Sequence, residues 1–87
     1  MPQNEQAPSF FTISSGQTLT LNLCRSISIL AVGGAASVQN AGGQTMSIPT
    51  NASVEINADT GNTLSTIVVT ASSSALVVML GGSGIIT

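Results

Sequence analysis

The chain has 87 residues, enough for one domain with a modest buried core. Arg25 is its only basic residue, Glu5, Glu55 and Asp59 are its only acidic ones, and histidine is absent. That inventory excludes a histidine- or lysine-based catalytic centre, an internal disulfide (Cys24 is the sole cysteine) and a zinc cluster. It also argues against nucleic-acid or anionic-membrane binding, which needs several cations.

Residues 1–9 contain two prolines and three amide side chains and show no apolar periodicity. They predict a flexible or extended N-terminal arm, either of the kind that lies across a neighbouring subunit or a disordered leader. They lack the basic and apolar regions of a signal peptide. From residue 10 onward the pattern is that of strands. Residues 10–14 form a short one, and Ser15-Gly16 a turn. In residues 17–23, Leu19, Leu21 and Leu23 alternate with Thr18, Thr20 and Asn22, the period of a half-buried strand. Residues 26–32 follow, with Ile27 and Ile29 set against Ser26 and Ser28, and Gly33-Gly34 breaks the run. A brief strand over residues 36–39 centres on Val38. Asn40-Ala41-Gly42-Gly43 is a strong turn signal.

Residues 44–48 point Met46 and Ile48 inward. Residues 49–52 turn the chain, and residues 53–57 alternate Val54 and Ile56 with Ser53, Glu55 and Asn57. Residues 58–62 form another turn. Residues 63–71 and 75–80 predict two further strands, both lacking polar alternation, as strands covered on both faces do. Residues 81–84 are glycine-rich, and residues 85–87 are a short apolar tail. A faint internal echo, Gly16 to Leu21 against Gly43 to Ile48, implies two similar strand entries after a glycine turn. About eight short strands and no helical period predict an all-β single domain over residues 10–87. The architecture expected is a small β-sandwich, jelly-roll-like or barrel-like. No run is long enough to cross a bilayer as a helix.

Charged residues make up 5% of the chain, against about a quarter in average soluble proteins. Its polarity comes from Ser, Thr, Asn and Gln, which cost less to desolvate than ions. Charge depletion is a property of interface cores. Together with the two-faced apolar strands it implies a homo-oligomer in which a neighbour supplies the second cover. The interface candidates are Phe10, Phe11, Arg25, Ile67, Val69, Val77 and Met79. Phe10 and Phe11 are the only aromatics and are expected to seat the first strand. Arg25, the only cation, can fix an interface register or pair with Glu55 or Asp59.

Other chemistry is thin. Gly81-Gly82-Ser83-Gly84 resembles a nucleophile elbow, but Ile85 stands where the last glycine belongs. Glu55 and Asp59 are a possible carboxylate pair, better explained as a strand residue and a turn former. Residues 57–62 place oxygen ligands at alternate positions, as in part of a calcium loop, but lack its carboxylates. Cys24 is expected to be a buried thiol. Asn51-Ala52-Ser53 matches a glycosylation sequon and is taken as coincidence. No enzyme activity, cofactor or metal is expected.

Residues 47–56 (SIPTNASVEI), 62–71 (NTLSTIVVTA) and 75–82 (ALVVMLGG) follow one another as a hairpin, a β-branched strand and a final apolar strand ending in glycine. Within residues 26–80 this succession resembles small β-sandwich proteins of bacteriophage virions. The resemblance implies a structural role in capsid decoration (cement), a spike or penton base, or a fibre attachment piece. It implies a trimer, pentamer or other ring, made in the bacterial host cytoplasm and located in the virion. Partners would be copies of itself and other virion proteins such as the major capsid protein, with no nucleic acid and no membrane insertion. Two other roles fit the residues: a receptor- or glycan-binding tip module, which the scarcity of aromatics disfavours, and a self-assembling filament or surface-layer subunit.

Overall fold

Alternation of branched apolar and hydroxyl side chains gives nine strands in a computed structural model that describes residues 7–87. They are β1 (Ser9–Ser14), β2 (Thr18–Asn22), β3 (Ser26–Val32), β4 (Ala36–Gln39), β5 (Thr45–Ile48), β6 (Ser53–Asn57), β7 (Ile67–Ala71), β8 (Ser74–Leu80) and β9 (Ser83–Ile86). The domain is all-β. One sheet has the order β1-β8-β3-β6 and the other β5-β4-β7-β2-β9, with every pairing antiparallel.

The pairings follow a simple rule. β1 pairs with β8, β2 with β7, β3 with β6 and β4 with β5. The chain is wound as one long hairpin rolled up so that its two arms alternate between the sheets. That is jelly-roll connectivity. β9 is an addition beside β2, with Leu19 opposite Ile86 and Leu21 opposite Gly84.

The inward rows form one apolar core between the sheets. Ile13, Leu19, Ile27, Ile29, Ala31, Val69 and Ala75 are fully buried, with Leu21, Cys24 and Val77 almost so. Among the described residues no polar or charged residue is buried. The interior is therefore held by apolar burial, worth about 1.5–3 kcal/mol for each large side chain.

Four expectations are corrected. The tail does not trail off: Ser83–Ile86 is a ninth strand. Residues 63–66 are not strand, and β7 begins only at Ile67. There the chain is held instead by the Leu64 N–H donating to the Cys24 carbonyl at 2.7 Å and the Thr66 hydroxyl donating to Asn22 Oδ1 at 2.7 Å. Leu23 does not continue the inward row. β2 ends at Asn22, Leu23 takes a left-handed conformation (φ 57°) and is 66% exposed, and Cys24 enters the core in its place. Ser9 belongs to β1, so the expected arm stops short of it, and residues 1–6 of that arm lie outside the described residues.

Candidate functional site

Each sheet has one face turned away from the core, and the two faces differ in chemistry. On the five-stranded sheet the outward residues are Thr18 and Thr20 of β2, Ser37 and Gln39 of β4, Thr45 and Ser47 of β5 and Thr70 of β7, with two apolar side chains, Val68 and the 59% exposed Ile85 of β9, flanking Thr20. Their strand mates Leu19, Val38, Ile48 and Val69 point inward. This face is hydroxyl-rich.

The four-stranded sheet is different. Outward-facing Phe10 lies opposite Val78, and Leu76 lies opposite both Thr12 and Leu30. Phe10 is 74% exposed, Leu76 43%, and Val78 and Val32 36% each. A contiguous apolar stripe therefore crosses β1, β8 and β3. Glu55, opposite Ser28, is the charged residue on this face, at its far edge on β6.

At one side of the sandwich the core opens into a cleft of about 320 Å³. Val38, Met46, Ile56 and Ile67 line it, with Asn40, Gln44 and Thr45 beside them. β5 and β6, the edge strands of the two sheets, flank this opening. Met46 lies in an inward row next to Val38, in keeping with its alternation, yet it stays 44% exposed because no strand closes the sandwich there. The Asn40 and Gln44 side chains hydrogen-bond each other at 3.0 Å and brace the adjoining turn.

The interface candidates divide. Phe10 is at the surface, in the stripe. Phe11 faces the other way: it is half-buried against the core, where it seats β1 beside Leu21 and Gly84. Arg25 is exposed, and its carbonyl accepts a hydrogen bond from the Ala58 N–H, which brings it next to the turn that carries Asp59. Val69, Val77 and Met79 are corrected: their own chain buries them, at 0%, 1% and 4% exposure, and Ile67, at 7%, reaches the surface only where it lines the cleft. Composition marks β8 as apolar on both faces but does not say which residues point out. The strand phase does, and the outward ones are Leu76 and Val78. The signal that could have found them is register: once Ile27 and Ile29 are inward, their partners Met79 and Val77 must be inward too.

The remaining chemical candidates have structural places. The turn at residues 59–62 is closed by the Asn62 N–H donating to the Asp59 carbonyl. No group of three or more potential metal-ligating side chains occurs among the described residues. Ser83 opens β9 after two glycines with positive φ.

Cys24 is a free, buried thiol whose Sγ–H donates to the Asn22 carbonyl at 3.7 Å. Burial pushes its pKa up, partly offset by a backbone hydrogen bond from Ser83. The folded thiol thus keeps its proton at a pH where the unfolded one loses it. Stability attributable to this group is full below the ordinary thiol pKa and declines as pH rises towards the folded value. Native protein should react with an aromatic disulfide reagent far more slowly than denatured protein, which should release one equivalent at once. Equal rates would contradict the burial.

Comparison of the chain with protein-family models, with curated proteins and with solved structures gives no match.

Proposed function

We propose that this protein is a structural component of a bacteriophage virion, a homo-oligomeric capsid-decoration or spike-type subunit that acts by packing uncharged β faces against its neighbours. The observation that carries the reading is the apolar stripe of exposed Phe10, Leu76 and Val78, continued onto β3 by the partly buried Leu30, on a jelly-roll sheet. Half-exposed large apolar side chains contiguous across three strands mark a surface that a partner covers. Jelly rolls serve as viral capsid domains and also as lectin and cupin domains. The capsid alternative suits this chain best. It has no histidine for a cupin-type metal site, and its only aromatics are two phenylalanines, one of which packs inward. Its likeness to small virion sandwiches over residues 26–80 points the same way.

Leu76→Ser together with Val78→Ser tests the stripe. Both sites face outward, so the melting temperature should stay within a few degrees of the parent. The assembled mass measured by sedimentation should fall. An unchanged mass would remove the stripe from the interface.

A further inference from the structure

We propose that the Phe10 ring of one copy seats in the cleft of a second copy, between that copy's β5 and β6. This rests on the homo-oligomeric reading above and specifies its contact. Phe10 is the most exposed large apolar side chain among the described residues, at 74%, and it stands on an edge strand. The cleft is the complementary feature. Its apolar lining is Val38, Met46, Ile56 and Ile67, and its volume is about 320 Å³. An apolar cavity of about 150 Å³ already accepts a benzene ring, so a phenylalanine side chain fits with room for its flanking backbone.

The two features cannot meet within one chain. β1 and β6 are opposite edges of the same sheet, three strand spacings or about 14 Å apart. A ring seated in such a cleft therefore belongs to a different copy from the cleft. Charge favours this pairing of copies. Among the described residues neither the cleft lining nor the stripe around Phe10 contains a charged one, so the two surfaces join without stripping water from an ion. Area sets the size of the contact. A stable interface takes about 800 Å² from each partner, close to a sixth of the 5087 Å² surface of this chain. Phe10 contributes on the order of 150 Å². Val78 and Leu76 beside it, and Asn40, Gln44 and Thr45 beside the cleft, supply flanking contact. Each copy offers one ring and one cleft, so the same contact can repeat from copy to copy.

The test mixes two single variants of the full chain, Phe10→Cys and Met46→Cys, under mild oxidation. Cys24 is 1% exposed and stays silent. The mixture should form a disulfide-linked pair containing one chain of each variant, and neither variant alone should cross-link. A cross-link in Phe10→Cys alone would place two stripes face to face and overturn the cleft assignment. No cross-link in a mixture that sedimentation shows to be assembled would also overturn it; the condition falls on the mixture because Phe10→Cys itself removes the ring. Monomeric wild-type protein would sink both this contact and the oligomeric reading, so the two failures are distinguishable. As a second measurement, Phe10→Ser and Met46→Trp should each weaken self-association about tenfold or more. The double variant should be no weaker than either single, because both act at one contact. Additive losses would contradict it.

Discussion

Gly82→Ala is expected to abolish the cooperative fold. Gly82 has φ 74°, a region that costs an L-residue about 1–2 kcal/mol. Strain of that size alone would be tolerable. Steric overlap costs more: a Cβ here would lie 2.7 Å from both the Cys24 nitrogen and the Leu23 carbonyl carbon, and would overlap the Asn22 carbonyl oxygen. All three are backbone atoms, so no side-chain rotation relieves the clash. The backbone of residues 22–24 would have to retreat and carry Cys24 out of the core. A loss of about 4 kcal/mol or more is expected, comparable with the whole stability of about 4–13 kcal/mol for a domain of this size. Circular dichroism should show no cooperative melting. Gly16→Ala is the control. It has φ 88°, but nothing lies within 4 Å of its Cβ position, so only the strain remains. Equal melting temperatures for the two variants would contradict the close approach of Gly82 to residues 22–24.

Ile29→Ala has the next largest expected effect. Ile29 is fully buried at the centre of β3, between Val77 on β8 and Val54 on β6. Its removal loses the transfer free energy and leaves a cavity beneath a sheet that cannot collapse around it, costing about 3 kcal/mol. At about 4–8 °C per kcal/mol for a domain of this size, the midpoint should fall by roughly 12–24 °C. Phe10→Ser removes a larger side chain and should leave the midpoint almost unchanged, because that ring contributes little to its own chain. If the ranking were reversed, the inward and outward rows would be misassigned.

The contrast between Ile29 and Phe10 shows how far the sequence carries. Where serine or threonine alternates with isoleucine or leucine, as in residues 26–29 and in Thr18–Asn22, facing is legible residue by residue. The jelly-roll winding is legible only as a class, because pairing of distant strands leaves no local trace. Residues 63–66 show the limit of propensity. Thr63 and Thr66 are good strand residues, and residues 63–66 contain no Gly, Pro, Asn or Asp, yet hydrogen bonds to Cys24 and Asn22 hold them as a link. Leu23 shows the limit of periodicity, since a left-handed residue flips the phase and delivers Cys24 to the core.

The same limits apply to the candidate surface. An apolar strand such as Ser74–Leu80 announces only that both of its faces are apolar. It does not announce which residues meet the chain's own core and which a neighbour. Val77 and Met79 therefore pass for surface residues in the sequence, where Leu76 and Val78 are the ones that point out. The cleft has no sequence signal of its own. It exists because β5 and β6 are edge strands that leave Met46 uncovered, which only the assembled sheets reveal. Phe10 stands out by composition alone, and it is the one candidate that the fold places in the exposed apolar stripe, on the edge strand β1.

The central claim is that this nearly uncharged sandwich is completed by copies of itself. Its mass in solution, measured by multi-angle light scattering across the micromolar range, tests that most directly. The expected result is a mass that is a defined multiple of 8.6 kDa and that dissociates on dilution or on Phe10→Ser substitution. A well-folded species of 8.6 kDa at every concentration would contradict it.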